Sequence, residues 1–218
     1  MHIEGAWVAY LDAFGFSAAV GKRPEAQING FFEDLYRQLA AAKPKLAAAY
    51  QFSDSVFLIQ KSFPDPSRAL EQLIIAIEDL QRIALQYRLV FRGAIAFGSV
   101  TFGGFGCYGS PVVDAARLEP HLAVPLVVLP TKYIERANDY LRKAYNPDSG
   151  LGLELPTKSI RTKTGLISAY IVPPPDRLYA NVAHKEIHRS LIDGPDHVAP
   201  AWQAALELLN FRETSEGR

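Results

Sequence analysis

One segment constrains this chain more than any other. Ala6-Trp7-Val8-Ala9-Tyr10-Leu11 is an apolar run that ends on Asp12 and continues as Ala13-Phe14-Gly15-Phe16-Ser17. A run of this length, with Val, Trp and Tyr, reads as a buried strand. A carboxylate at the end of such a strand is costly to desolvate unless a cation or hydrogen bonds compensate it. A second aspartate lies in Phe52-Ser53-Asp54-Ser55, between two strand-like segments, where it falls at a hairpin tip. Two carboxylates, each beside a turn, point to a divalent-metal site that holds phosphates.

The totals set the frame. The chain has 218 residues, 49% of them hydrophobic, which suits one large domain, or one domain with an appended tail, and a substantial core. Formal net charge is zero, so no global field draws the protein to nucleic acid or to an acidic membrane surface. The single cysteine, Cys107, has no internal disulfide partner, which favours a reducing compartment. With neither a signal-like N-terminus nor an apolar run of membrane-spanning length, the expectation is a cytosolic protein.

Along the chain, residues 25 to 42 carry Ile28, Phe31, Phe32, Leu35 and Leu39 on one helical stripe. Strands are expected at about 46 to 52 and 55 to 60. Asp65-Pro66-Ser67 starts a helix whose Leu70, Leu73, Ile74, Ile77, Leu80 and Ile83 keep helical spacing through Leu85. A strand over Leu89 to Phe97 precedes glycines at 98, 103, 104, 106 and 109, which read as turn and close-packing residues. A short helix from Pro111 to Glu119, a strand over Leu126 to Leu129 and a helix from Thr131 to about Ala144 follow. A late hairpin spans about 159 to 172, turned around Gly165. The expected fold class is therefore α+β, a largely antiparallel sheet with packed helices. Residues 1–175 form the expected catalytic domain. Residues 176–218 are a C-terminal extension packing on it, with a docking helix over 199 to 210. His184 and His188 are four apart, but the sequence between them does not match a zinc-protease motif, so they read as a surface or interface pair.

Four patches resemble the catalytic domain of class III nucleotide cyclases. They are Leu11-Asp12-Ala13-Phe14-Gly15-Phe16-Ser17; Ser53-Asp54; Arg92, six residues before Gly98; and Gly109 followed by Ala115-Ala116-Arg117-Leu118-Glu119. The resemblance implies a ferredoxin-like core and a head-to-tail homodimer with active sites at the interface. Two divalent ions, Mn²⁺ or Mg²⁺, would be held by Asp12, Asp54 and the Ala13 carbonyl. It further implies that the amides of Phe14, Gly15 and Phe16 cradle the phosphates and that Arg117 stabilises the transition state. Arg92 or Lys163 would hold the pyrophosphate. The reaction implied is attack of a nucleoside triphosphate's 3′-hydroxyl on its own α-phosphorus.

Three positions depart from the purine-specific pattern of that family. Tyr50 stands where a base-reading lysine or glutamate is usual, Gly106 at the second base-reading position, and Val113 in place of a helix asparagine. A tyrosine at the lysine position resembles the pyrimidine cyclases of bacterial antiphage (Pycsar) systems, which make cyclic UMP or cyclic CMP and activate a separate effector. UTP is favoured over CTP on this reading. An adenylate or guanylate cyclase with an atypical pocket, or an inactive nucleotide-binding relative, stay open. Each site residue also has a plainer reading: Asp12 and Asp54 as turn residues, Tyr50 as a strand aromatic, Lys163 as a solvated charge. On the same footing Arg92 pairs with a helix carboxylate such as Glu78, and Arg117 pairs with Asp114 or Glu119.

Overall fold

The structure is a computed structural model that describes residues 1–14, 16–122, 125–138, 157–162, 165–172 and 175. The expected extension 176–218, the site candidates Gly15 and Lys163, and the far end of the helix expected to reach Ala144 lie outside the described residues.

Strand β1 (His2–Phe14) carries the opening apolar run. Helices α1 (Phe16–Val20) and α2 (Glu25–Ala42) follow it. The hairpin β2 (Ala48–Phe52) and β3 (Ser55–Lys61) then turns on Ser53 and Asp54, with Ser53 in a left-handed conformation at φ 55°. Helix α3 (Pro66–Gln86) begins as expected: Asp65 accepts the amides of Ser67 and Arg68 at 3.0 and 3.1 Å, and Pro66 occupies the first turn. Strand β4 (Val90–Gly103) runs further than its sequence suggested. Its glycines continue the strand into a hairpin with β5 (Gly106–Gly109), which leads straight into α4 (Ser110–Leu118). Strand β6 (Val127–Pro130) and a 3₁₀ turn at Thr131–Tyr133 lead into a helical stretch at 134–138. The late hairpin is β7 (Thr157–Thr162) and β8 (Gly165–Ile171), so Gly165 opens a strand and is not the centre of a turn.

The strand order is β2-β3-β1-β4-β6-β8-β7, with β5 paired to β4. Every neighbouring pair is antiparallel except β4–β6. The order puts β1 at the inside of the sheet, and its alternation divides the molecule. Trp7, Ala9, Leu11 and Ala13 face the core formed with Phe31 and Leu35 of α2 and Leu70, Leu73 and Ile77 of α3. Each such aliphatic side chain contributes about 1.5–3 kcal/mol by leaving water. The Trp7 indole donates to the Pro66 carbonyl at 3.0 Å and pins the start of α3 to the sheet. Alternation turns Tyr10, Asp12 and Phe14 to the opposite face, where they are only partly buried. No described helix is long and apolar enough to cross a membrane.

Close approach fixes β1 against β4. A Cβ at Gly93 would stand 2.2 Å from the Tyr10 carbonyl oxygen and 2.8 Å from Leu11 Cδ2, so no side chain fits there. Gly93→Ala is therefore expected to destabilise the protein by about 3 kcal/mol or more. Gly21→Ala, where a Cβ meets open space, should leave the urea midpoint nearly unchanged. Equal midpoints for the two variants in urea unfolding would contradict this packing.

Candidate active site

Strand register builds the site. Asp12 lies between Ser55 of β3 and Arg92 of β4, so the end of β1 brings both flanking strands to one carboxylate. Ser55 Oγ donates to Asp12 Oδ1 at 2.8 Å, and the Tyr10 hydroxyl donates to Ser55 Oγ at 2.9 Å. The hairpin tip is tied to the same place by the Ala13 amide, which donates to the Asp54 carbonyl at 3.2 Å. Burial pushes the Asp12 carboxyl above its ordinary range. The Ser55 hydrogen bond opposes that rise, the Asp54 charge adds to it, and Arg92 opposes it. The Asp54 charge thus reaches Asp12.

Arg92 is held on three sides. Its Nε donates to Glu119, its Nη1 donates to the Leu122 carbonyl at 3.2 Å, and the guanidinium lies 5.1 Å from the centre of the Phe14 ring. Nη2 faces Asp12 Oδ2 at 3.9 Å. The carboxylate partner is therefore Glu119, directly after α4, and not Glu78, which pairs with Arg82 at 3.9 Å. Sequence reasoning missed Glu119 as a site residue. The only signal was an acidic residue two positions after Arg117, a spacing with no chemical meaning until α4 is packed on the sheet.

Tyr50 shares the sheet face of Asp12, because it pairs with Phe57, which in turn pairs with Tyr10. Its hydroxyl donates to the Gly103 carbonyl at the β4–β5 hairpin tip. Burial, then the nearby Cys107, push its phenol upward. Cys107 packs against the smaller cluster of Ile3, Val8, Ile59 and Val100. The fold adds that it stands beside Tyr50, next to Gly106 in the chain.

Arg117 is exposed on α4 and borders a cleft of about 470 Å³ that Asp114, Leu118, Lys132 and Ile167 also line. Asp114 is held by Lys132 at 2.8 Å and by the Tyr133 hydroxyl, and Glu119 by Arg92. The two partners expected for a surface-paired Arg117 are thus already engaged. Phe14 packs against Arg92, and Phe16 is buried with its ring centroid 6.0 Å from that of Phe31 and 5.5 Å from that of Phe32.

The donor set suits a hard divalent ion. A carboxylate such as Asp12, whose ionised form burial and the Asp54 charge disfavour, gains from a nearby dication, and oxygen ligands match Mg²⁺ or Mn²⁺. No group of three or more His, Cys, Asp and Glu side chains among the described residues could hold a metal. The remaining ligands would come from backbone and from substrate phosphate, the usual arrangement when Mg²⁺ is bound through one or two carboxylates.

The fold, a largely antiparallel sheet with packed helices, is similar to that of solved class III nucleotide cyclase domains. The guanylyl cyclase domain of the RhoGC fusion protein from the aquatic fungus Blastocladiella emersonii is similar at TM-score 0.54 and 13% identity, covering 78% of this chain and 95% of that one. The adenylyl cyclase CyaB from P. aeruginosa gives 0.51 and 15%, covering 78% and 94%. The guanylate cyclase domain of RhGC from Catenaria anguillulae, solved in complex with GTP, gives 0.53 and 12%, covering 78% and 97%. No family model and no curated protein matches the chain.

The raised Asp12 carboxyl has a signed consequence. Without metal, ionised Asp12 is disfavoured in the fold relative to the unfolded chain. This cost is absent below the ordinary carboxylate range and grows as pH rises through it to the elevated native value. Asp12→Asn in EDTA should therefore melt above wild type at pH 7.5 and lose that advantage toward pH 3. A variant melting below wild type at neutral pH in EDTA contradicts the assignment.

Proposed function

We propose that this chain is a metal-dependent nucleotide cyclase that converts a pyrimidine nucleoside triphosphate, UTP in preference to CTP, to its 3′,5′-cyclic monophosphate and pyrophosphate. The observation that carries the cyclase reading is the placement of Asp12 and Asp54 within electrostatic reach of one another at the open end of β1. Asp12, Asp54 and the Ala13 carbonyl would hold Mn²⁺ or Mg²⁺, ions that neutralise the phosphates and acidify the 3′-hydroxyl. The remaining work is positioning. The amides of Phe14, Gly15 and Phe16 cradle the terminal phosphates, and Arg92 and Lys163 are the cations expected near the leaving pyrophosphate. A bond forms from O3′ to the α-phosphorus, the bond to the bridging oxygen breaks, and pyrophosphate leaves. Arg117, supplied by a second copy of the chain in a head-to-tail homodimer, stabilises the charge that develops at phosphorus.

Tyr50 supports the pyrimidine assignment. Its ring presents a stacking surface beside the β4–β5 hairpin. Its hydroxyl hydrogen is already given to Gly103, so the oxygen is left to accept from a donor on the base, such as the imide N–H of uracil. On this reading the product signals to a separate effector in bacterial antiphage defence. A purine reading has its own support, since the similar solved structures are adenylyl and guanylyl cyclases. The tie between Arg92 and Glu119, with Val113 exposed on α4, favours an inactive relative only if turnover is absent.

The decisive assay supplies each of the four ribonucleoside triphosphates with Mn²⁺ and measures cyclic product and pyrophosphate. UTP should be turned over fastest. Faster cyclisation of ATP or GTP removes the pyrimidine assignment, and nucleotide binding without pyrophosphate release removes the enzyme. Asp54→Ala is expected to abolish turnover with dimerisation intact, and Arg117→Ala to lower kcat by about 10²–10³-fold.

A further inference from the structure

Glu119 is buried at 3% exposure, yet its carboxylate belongs to the same cluster as the metal pair. It bonds Arg92 Nε, and Arg92 Nη2 faces Asp12. The Tyr10 hydroxyl bonds Ser55, which in turn bonds Asp12. Glu119, Arg92 and Asp12 therefore form one chain of charges, with the Asp54 hairpin tip fastened beside it through the Ala13 amide. We infer that Glu119 is a positioning residue that sets the divalent-metal affinity of the Asp12–Asp54 pair by neutralising Arg92, whose charge would otherwise stand against the incoming dication.

The argument is electrostatic and rests on the metal-pair reading given above. A guanidinium facing a carboxylate at 3.9 Å competes with a dication for that carboxylate. Its repulsion of the dication is weakly screened in a partly buried site. Balanced by Glu119, Arg92 keeps its place without that penalty. Its Nε and Nη1 are drawn to Glu119 and to the Leu122 carbonyl, leaving only one end toward Asp12. Replacing Glu119 by glutamine preserves shape and leaves the Arg92 charge unbalanced beside Asp12. Removing Arg92 as well restores the balance between carboxylates and cation. Because Glu119 directly follows α4, the same contact joins the helix that carries Arg117 to the metal end of its own protomer.

The test is Mn²⁺ binding to the full chain without nucleotide, followed by the electron paramagnetic resonance of free Mn²⁺, on wild type, Glu119→Gln, the double variant Arg92→Met/Glu119→Gln, and the surface control Glu71→Gln. Glu119→Gln should bind Mn²⁺ on the order of tenfold more weakly. The double variant should return to wild-type affinity or better, and the control should not move. Equal affinity in wild type and Glu119→Gln overturns the inference, as does a double variant as weak as Glu119→Gln. Wild type that binds no Mn²⁺ sinks the metal-pair reading itself, a separate outcome. If Glu119→Gln fails to fold, Arg92→Met/Glu119→Met replaces the ion pair with apolar side chains. Wild-type or tighter binding by that variant supports the inference, and weaker binding overturns it.

Discussion

The rest of the structure depends on the end of β1, where a buried strand must present a charge. Asp12 cannot withdraw into the helix-packed face, because alternation gives that side to Leu11 and Ala13. Nor is it solvated enough to ionise at its ordinary pH. The fold meets the cost with a hydroxyl from one neighbouring strand and a guanidinium from the other. Two neighbouring strands are thereby registered on one side chain, and the hairpin tip is fastened to the next amide.

That arrangement leaves Asp12 with its ionised form disfavoured by burial and by the Asp54 charge, an environment that a divalent cation would relieve. It also explains why the nearby basic residue is so constrained. An arginine free to swing would satisfy Asp12 by itself and remove the reason for a cation to bind. Bonded to Glu119 and Leu122 and stacked on Phe14, Arg92 offers the carboxylate only a long contact.

Much of this was legible in the residues. The stripe Leu70, Leu73, Ile74, Ile77 and Leu80 gave α3 its buried face, and Asp65-Pro66 gave its start, because capping and periodicity are local properties. Ser53-Asp54 between two strands gave a hairpin for the same reason. The end of β4 was not legible in this way. The glycines from 98 to 109 read as turn and close-packing residues, and a Cβ on Gly98 would indeed stand 3.0 Å from Ser110 Oγ, but nothing local showed that the strand runs on to Gly103. A glycine's role is decided by what faces it, and its own identity carries no record of that.

The sequence by itself determined most of the elements, their amphipathic faces, the strand aspartate Asp12 and the turn aspartate Asp54, because each follows from interactions within a few residues. Tertiary structure alone decided the pairing of Arg92 with Glu119 across 27 positions, the approach of Cys107 to Tyr50, and the shared electrostatics of Asp12 and Asp54. These are contacts between elements, set by strand order and register. Coulomb and hydrogen-bond energies depend on separation in space, which only the completed sheet fixes.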